Sequence, residues 1–403
     1  MGGERNRDCV SLLLYMLLQK GSRFMTQPGI ENLRSVEKYL SGARLGLMTN
    51  PTGVDSRLRS TIDLLYGSHC LSALFACEHG VRGDIQAGQR VDTFVDPDTG
   101  LPVFSCFGKN AHLTEEMLAA FDVFVFDMQD VGARFYTYLY SLSYAMEDCA
   151  RAGKPVVVLD RPNPLGGLQV EGTLLEPRLH SFVGEYSMPT RYGLTIGEYA
   201  LWVKDHLKLD LSLHIAPMIG WERRMRYQDT GLCFVPPSPN CATLHAADIY
   251  TGTCIFEGTN ISEGRGTTLP FEYIGAPFVN GPALSQRMNA LGLPGVLFRP
   301  AWFTPQFAKY PGELCSGVQI HLTNPRAARP FEIGLRLMEA IRSLHGDKLE
   351  WRGFEPNGSA SVDRLLGTDA FRLGQMDADA LLAYHTPRIA AWQAQSRAFW
   401  LYS

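Results

Sequence analysis

The sequence has no excess of basic residues and no apolar run of membrane length. Its 403 residues include 37 Lys and Arg against 41 Asp and Glu, which gives a formal net charge of −4. A nucleic acid or an anionic membrane would therefore lack its main electrostatic attraction to the chain. The apolar run from Cys9 to Leu18 is about ten residues long, too short to cross a bilayer as a helix. We predict no nucleic-acid partner and no membrane span.

Closely spaced cysteines are missing as well. The chain has nine cysteines, and their spacing provides neither the paired ligands of a structural zinc site nor a C-x-x-C redox motif. We interpret them as reduced, mostly packed thiols, which favours a cytoplasmic location. In residues 1–25, Arg5 and Arg7 precede the apolar run as in a signal peptide, but no small-residue cleavage site follows. We interpret this segment as a non-functional extension, or as the product of a start codon upstream of Met25, rather than as a weak secretion signal. Export is the alternative to the cytoplasmic location.

The common cofactor and nucleophile motifs are also absent. The sequence contains no G-x-G-x-x-G after its first predicted strand, no G-x-x-x-x-G-K-[ST], no H-E-x-x-H and no G-x-S-x-G. These absences argue against dinucleotide and nucleoside triphosphate sites and against a zinc site on a helix. We expect no cofactor and no metal.

The chain does have many hydrophobic residues, 45% against only 19% charged residues. In its first two-thirds they form predicted strands that alternate with predicted helices. The spacing of Leu139, Leu142, Met146 and Cys149 predicts an amphipathic helix between two strands, and a strand–helix–strand unit forces a parallel crossover. The first two-thirds of the chain therefore predict an α/β fold with a doubly wound, mainly parallel sheet. The predicted strands are 44–50, 71–77, 123–127 and 155–160.

The sequence changes character after about residue 230. Pro236–Asn240 predicts a rigid turn or linker, residues 317–322 a strand, and the apolar spacing over 331–341 a helix. We predict a first, Rossmann-like α/β domain over 26–245 and a smaller C-terminal α/β domain over 246–403.

Polar residues follow each predicted strand of the first domain. In open parallel sheets, ligands bind just beyond the carboxyl ends of the strands, so these residues share one predicted crevice. They are Asn50, then the Glu78–Asp84 segment, then Asp127–Asp130, then Asp160–Asn163.

Each of these segments also has a structural interpretation. One segment contains an acid, an imidazole and a fixed cation in Glu78, His79 and Arg82. Its structural interpretation is a solvated turn with one ion pair. The next segment offers two carboxylates for catalysis, Asp127 and Asp130, beside Arg134 and Tyr136. Its structural interpretation is that Asp127 caps a helix and pairs with Arg134. Asp160, Arg161 and Asn163 favour turn chemistry. In the second domain, the glycine-flanked loop with Glu263 and Arg265 either is mobile or closes over the crevice.

Taken together, these segments resemble the exo-β-N-acetylmuramidase family of peptidoglycan recycling, formerly a domain of unknown function. The matching stretches are GLMTNPTGVD at 46–55, EHGVRGDIQAG at 78–88, VFVFDMQDVGARFYTY at 123–138, LDRPNPLGG at 159–167, PPSPN at 236–240 and FEGTNISEGRGTTLPFEYIGAP at 256–277, with GVQIHLTN at 317–324. The resemblance covers roughly residues 28–375. One departure is Cys77, where the family has proline before the Glu-His-Gly.

The resemblance implies a Rossmann-like domain followed by a smaller α/β domain, with the active cleft between them. It further implies removal of N-acetylmuramic acid (MurNAc) from the non-reducing end of peptidoglycan-derived saccharides such as MurNAc–GlcNAc. Glu78 is our candidate general acid, because it follows a buried strand at the crevice. Asp127, Asp130, Glu263 or the substrate's own acetamido group is the second reacting group. The expected substrate-binding residues are Asn50, His79, Arg82, Asp130, Arg134, Tyr136, Asp160, Arg161, Asn163 and Arg265.

Two other function classes stay open at this point. One is a metal-dependent hydrolase that uses His79, Asp84 and an acid from 127–130, and the other is a non-catalytic sugar-binding protein. For the lactyl carboxylate of muramic acid, the candidates are Arg82, Arg134, Arg161 and Arg265. Their structural alternative is pairing with Asp84, Asp130, Asp160 and Glu263, respectively.

Overall fold

A computed structural model describes residues 25–78, 80–83, 93–106 and 111–403 of the chain. The expectations for residues 1–24, His79 and Asp84 fall outside these ranges. Within them, no helix combines the length and the apolar character that crossing a membrane requires.

A large sheet is built from seven strands of the described residues. They are β1 (Arg44–Thr49), β2 (Cys70–Ala76), β3 (Phe94–Val95), β4 (Pro102–Ser105), β5 (Val123–Asp127), β6 (Val156–Leu159) and β7 (Leu213–Ala216). Their order is β3-β4-β2-β1-β5-β6-β7, and every neighbouring pair is parallel except β3 with β4. The predicted doubly wound, mainly parallel sheet is confirmed.

Alternating side chains of the strands supply the two cores of this sheet. In β5, Phe124 and Phe126 join the larger apolar cluster, whereas Val123 and Val125 join the smaller cluster on the opposite face. Each fully buried side chain of this size contributes about 1.5–3 kcal/mol. The helices that cover the sheet are α1 (Glu37–Leu40), α2 (Thr61–Ser68), α3 (Glu115–Ala119), α4 (Tyr138–Arg151) and α5 (Ile196–His206).

The C-terminal part has a second sheet of a different kind. Its strands are β8 (Tyr273–Ala276), β9 (Val296–Phe303) and β10 (Cys315–Leu322), antiparallel in the order β8-β10-β9. Its helices are α6 (Leu244–Thr253), α7 (Gly281–Ala290), α8 (Pro330–His345), α9 (Ser361–Leu366) and α10 (Ala378–Ser396). α6 and α8 approach so closely that a Cβ on Gly334 would lie 2.0 Å from the Gly252 carbonyl oxygen. Only glycine fits this helix crossing.

Short 3₁₀ segments connect these elements. They are Gly29–Ser35, Pro177–Leu179, Tyr227–Asp229, Cys254–Gly258 and Arg397–Phe399. After α10 the chain returns to the large sheet, where the Tyr402 hydroxyl donates to Asp160 at 2.6 Å. The C-terminal segment therefore packs on the N-terminal sheet as well as on its own part of the chain.

Candidate active site

The polar residues that follow β1, β5 and β6 lie at one edge of the large sheet. These strands are parallel neighbours in register, with Thr49 opposite Asp127 and Phe126 opposite Val158. β2 pairs with β1 and ends just before Cys77 and Glu78. The carboxyl ends of these strands therefore lie at one edge of the sheet, whereas one crevice shared by all four polar segments stays a prediction.

Glu78 lines a cavity of about 60 Å³ at this edge. The Thr137 hydroxyl, at the start of α4, donates to Glu78 Oε2 at 3.3 Å. The turn that aims Glu78 is closed by the Gly80 amide, which donates to the Cys77 carbonyl at 3.2 Å. Burial raises the pKa of the Cys77 thiol to about 12, so the cysteine in place of proline acts as an inert packing residue.

Both parts of the chain contribute to the cavity lining. Its described lining residues are Glu78, Phe135, Tyr136, Thr137, Tyr138, Ser238, Tyr250, Arg265 and Phe271. The first five, from Glu78 to Tyr138, follow strands of the large sheet, Ser238 belongs to the proline-rich segment, and the last three come from the C-terminal part. The cavity therefore lies between the two parts, as the resemblance implies.

An aromatic wall forms one side of the cavity. The Tyr136 and Tyr138 rings lie 4.9 Å apart, and Tyr250 meets Tyr136 at 5.9 Å and Phe271 at 4.7 Å, all edge to face. Burial raises the pKa of Tyr136 and Tyr250 well above the usual range, so both hydroxyls keep their protons. The Tyr138 hydroxyl donates to the Pro237 carbonyl at 2.5 Å and holds the proline-rich segment against the site.

Arg265 reaches the cavity from a network of four charged side chains. Its Nη2 donates to Glu257 Oε1 at 2.5 Å, and its Nε lies 3.4 Å from Glu263 Oε1. Burial opposes the charge on Arg265, but the carboxylates of Glu257 and Glu263 together outweigh burial and raise the pKa of Arg265 above its usual value. Lys309 completes the network by donating to Glu263 Oε2 at 2.8 Å.

The loop that carries Glu263 and Arg265 is fixed by its contacts. Gly266 has φ +82°, and a Cβ there would meet the Phe307 carbonyl oxygen at 2.5 Å. The Gln306 amide donates to the Gly266 carbonyl at 2.9 Å. Of the two interpretations of this loop, these contacts favour closure over the crevice.

Asp127 is engaged by Arg161, a different partner from those the sequence suggested. Arg161 donates to both carboxylate oxygens, at 2.5 and 2.8 Å, and both side chains are buried. Thr61 at the start of α2 donates to the same carboxylate. These contacts connect α2, β5 and the residue after β6, so Asp127 stabilises the fold at this edge of the sheet.

Asp130 and Arg134 are also buried but do not pair with each other. Tyr192 and the Gly132 amide donate to Asp130 Oδ2, and burial raises the pKa of Asp130 to about 6. Arg134 donates instead to backbone carbonyls, among them Leu365 in α9 at 2.7 Å. Burial lowers the pKa of Arg134 to about 10.

The remaining predicted residues lie outside the helices and strands, and each has partners within the fold. Asn163 accepts from the Leu165 amide at 3.0 Å and donates to the Leu194 carbonyl at 2.8 Å, as turn chemistry predicts. Asp160 is buried, and its burial raises its pKa to about 7. Arg82 pairs with Asp96 at 2.9 Å.

Asn50 differs from these residues. Its Oδ1 accepts from Thr52, while its buried Nδ2 has no hydrogen-bond partner within the described residues.

Of the predicted residues, the structure brings Glu78, Tyr136 and Arg265 together in the cavity, with Glu263 directly behind Arg265. His79 lies outside the described residues. Thr137, Tyr138, Tyr250, Glu257 and Lys309 were not singled out. The first two and Glu257 fall in matching stretches of the family, whereas no local pattern points to Lys309.

No metal site is apparent in the part of the chain that the structure describes, since no three His, Cys, Asp or Glu side chains gather there. The metal-dependent alternative depended on His79 and Asp84, which are outside that part. It stays an untested prediction.

Comparison with known proteins connects this geometry to a family. A family model described as the N-terminal part of exo-beta-N-acetylmuramidase NamZ matches residues 45–245, and the model of its C-terminal part matches 249–402. The peptidoglycan beta-N-acetylmuramidase NamZ of Bacillus subtilis (strain 168) is 46% identical over 357 residues, which cover 88% of this chain and 85% of that protein.

Two crystal structures of DUF1343 family proteins from Bacteroides fragilis NCTC 9343 share the fold. The first aligns with a TM-score of 0.84 at 36% identity, and the second with 0.75 at 28%. Each alignment covers 94% of this chain and 99% of the crystal chain. Because the two family models together match most of the chain, it belongs to the exo-β-N-acetylmuramidase NamZ family.

Proposed function

We propose that this protein is an exo-acting glycoside hydrolase that releases MurNAc from the non-reducing end of peptidoglycan fragments. Membership of the NamZ family and the name of the Bacillus subtilis relative support this reaction. The single observation that supports it from the geometry is Glu78. Among the nine described residues that line the cavity, Glu78 is the one that carries a carboxyl group.

Glu78 is suited to act as the general acid. Glycosidic cleavage needs a carboxylic acid that protonates the leaving oxygen as the bond breaks. Thr137 orients one oxygen of Glu78, and the cavity beside it has room for a few atoms or water molecules. A glycosidic oxygen placed there would meet the acid directly.

The second reacting group is narrowed by the contacts of the other carboxylates. Arg161 and Thr61 occupy both oxygens of Asp127. Lys309 and Arg265 likewise neutralise both oxygens of Glu263. Asp130, the third carboxylate named for this role, accepts from Tyr192 and the Gly132 amide and is not among the described residues that line the cavity. These contacts favour the 2-acetamido carbonyl of the substrate itself as the nucleophile, a known alternative to a second carboxylate.

Arg265 is our candidate for reading the lactyl carboxylate of MurNAc. All four arginines named for this task are engaged: Arg82 by Asp96, Arg134 by backbone carbonyls, Arg161 by Asp127, and Arg265 by Glu257 and by Glu263, its predicted partner. What distinguishes Arg265 is its position. Arg265 lines the cavity and is the guanidinium among its described lining residues. A planar guanidinium matches a carboxylate with two parallel hydrogen bonds.

The cysteines support the cytoplasmic location that we propose. The eight cysteines in the described residues are all free thiols, and five of them lie in the apolar cluster of the larger core. Reduced, packed cysteines are typical of a reducing compartment.

The experiment that tests the proposal incubates the protein with MurNAc–GlcNAc and identifies the released sugars by mass. We expect free MurNAc and GlcNAc from the wild-type protein. Glu78→Gln should lower turnover about a hundredfold or more with unchanged thermal stability, because it keeps the shape but cannot supply the proton. An activated leaving group should restore part of the rate.

Glu222→Gln, at an exposed ion pair and not among the described residues that line the cavity, is the matched control and should retain full activity. If the wild-type protein releases neither sugar at any pH, the glycosidase proposal fails and a sugar-binding protein becomes the better interpretation. A fully active Glu78→Gln variant would remove Glu78 from the mechanism while leaving the reaction in place.

A further inference from the structure

A second cavity, of about 310 Å³, lies beside the one that contains Glu78. It is lined by the tip of a tight hairpin, by one residue of the 3₁₀ segment Cys254–Gly258 and by α9. These residues are Ser181, Phe182, Val183, Glu257, Ser361, Arg364 and Leu365. Its volume is at the lower end of ordinary ligand pockets, which run from about 300 to 1,000 Å³.

One ion pair separates the two cavities. Arg265 lines the cavity of Glu78, and Glu257 lines the second cavity. The two side chains meet at 2.5 Å between Arg265 Nη2 and Glu257 Oε1. The second cavity therefore adjoins the cavity of Glu78 across this ion pair.

The second cavity carries polar groups that make no hydrogen bond with the part of the chain that the structure describes. The buried hydroxyl of Ser181 has no partner within the described residues. Arg364 Nη1 also makes no hydrogen bond there, although the Glu355 carboxylate lies 3.3 Å away as its ionic partner. Buried polar groups are normally paired, so groups of this kind mark a place where a ligand can complete them.

The hairpin presents these groups from a fixed backbone. Ser181 and Gly184 exchange two backbone hydrogen bonds, at 3.0 and 2.8 Å, which close the turn around Phe182 and Val183. On the opposite wall, Arg364 Nη2 donates to the Ser361 hydroxyl at 2.9 Å. Both walls are therefore ordered before a ligand arrives.

We propose that this cavity binds the second sugar of the substrate, an N-acetylhexosamine attached to the MurNAc unit at Glu78. The inference rests on the proposed function. Phe182, Val183 and Leu365 offer an apolar surface for the C–H face of a pyranose ring, and Ser181 and Glu257 offer partners for its hydroxyls. Because Glu257 and Arg364 carry opposite charges, the lining favours a neutral sugar over an anion or a cation.

The test compares two substrates that differ only beyond the cleaved bond. One is MurNAc–GlcNAc, and the other is the β-fluoride of MurNAc, whose single-atom leaving group cannot reach the second cavity. Val183→Trp should fill the cavity and raise KM for the disaccharide at least tenfold, with less than a twofold change for the fluoride. Ser181→Ala should raise KM for the disaccharide several-fold, and it breaks no side-chain hydrogen bond of the described fold.

Leu168→Trp is the matched control, because Leu168 is exposed and lines neither cavity. It should leave both substrates unchanged. Thermal unfolding of all variants, together with fluoride hydrolysis, shows whether Val183→Trp still folds. If it does not, Ser181→Ala alone decides.

The outcomes separate the two proposals. A wild-type protein that cleaves neither substrate overturns the proposed function. A wild-type protein that cleaves both, with cavity variants that change both substrates equally or change neither, overturns the second-sugar site alone. If the variants impair only a MurNAc substrate that carries a stem peptide, the cavity holds peptide and the sugar assignment is wrong.

Discussion

At the scale of single residues, the site depends on partners that lie far away in the chain. Arg265 faces the cavity because Glu257 and Glu263 hold its other edge, and Glu263 is in turn held by Lys309. Two backbone carbonyls, of Phe256 and Ile261, accept from the same Lys309 ammonium at 2.7 and 2.8 Å. The orientation of Arg265 is thus fixed before the substrate binds.

Arg265→Lys tests whether this guanidinium reads the lactyl group. Lysine keeps the positive charge between the two glutamates but cannot make two parallel hydrogen bonds to a carboxylate. Losing about 1.5–3 kcal/mol of charge-assisted contact should lower kcat/KM for MurNAc fluoride about 10- to 150-fold. Slow cleavage of the lactyl-free GlcNAc fluoride should change little.

Arg82→Lys is the control for this comparison, since Asp96 already engages Arg82. It should treat the two fluorides alike. Equal penalties on both fluorides in Arg265→Lys would mean that the lactyl group is read elsewhere.

Asp130 should make the stability of the protein depend on pH. Burial raises its pKa to about 6 in the folded state, above the value of about 3.9 that an unfolded chain has. The folded state therefore binds the proton more tightly. This contribution is complete below about pH 4 and is lost as the pH rises through 6.

Asp130→Asn should remove this dependence. We expect it to raise the free energy of unfolding by roughly 2–3 kcal/mol at pH 8 relative to the wild type, with little change at pH 4. Urea unfolding across this pH range measures the effect. Parallel pH profiles of wild type and variant would show that Asp130 does not titrate there.

At the scale of secondary structure elements, the buried Arg161–Asp127 ion pair connects neighbouring strands at the edge of the sheet below the site. Arg161 follows β6, Asp127 ends β5, and Thr61 begins α2. Replacing Arg161 with methionine should lower the free energy of unfolding by about 3–5 kcal/mol, because it leaves a buried carboxylate without its partner. Chemical denaturation measures the loss.

Arg44→Met is the matched control, because the Arg44–Asp122 pair is about half exposed. An exposed pair of this kind contributes at most about 1 kcal/mol. Similar losses of unfolding free energy in Arg161→Met and Arg44→Met would contradict the stabilising role that we assign to the Arg161–Asp127 pair.

The regular elements near the site were predictable, and the short edge strands were not. The sequence predicted strands at 44–50, 71–77, 123–127 and 155–160, and β1, β2, β5 and β6 confirm them to within one or two residues. Runs of apolar residues that end in a polar one identify such buried strands. β3, β4 and β7 were missed, because two to four residues at or near an edge are too short for a periodic pattern.

At the scale of the whole molecule, the C-terminal helix joins the two parts of the chain. Trp392 in α10 packs against Trp202 of α5, with 5.0 Å between the ring centroids. The Trp392 Nε1 donates to the Tyr192 carbonyl at 3.0 Å. Arg134 connects the parts a second time through the Leu365 carbonyl. We therefore expect a single unfolding transition, although two separate family models match the chain.

Trp392→Ala tests this connection. Removing the buried ring should cost about 3–5 kcal/mol while the transition stays single. Calorimetry together with intrinsic fluorescence follows both parts. Trp302→Ala is the control, because that ring is 58% exposed and should matter by less than about 0.5 kcal/mol. Two resolved transitions in the wild type would contradict the expectation.

The sequence by itself determined the parallel sheet, its polar strand ends and the place of Glu78 after β2. These are local properties, since each depends on the pattern of a few consecutive residues. The partners of the charged residues were decided only by the tertiary structure. Asp127 pairs with Arg161, 34 positions away, and Lys309 reaches Glu263 across 46 positions. Sequence spacing favoured nearer partners, but a buried charge is stabilised by whichever opposite charge the packing brings into contact.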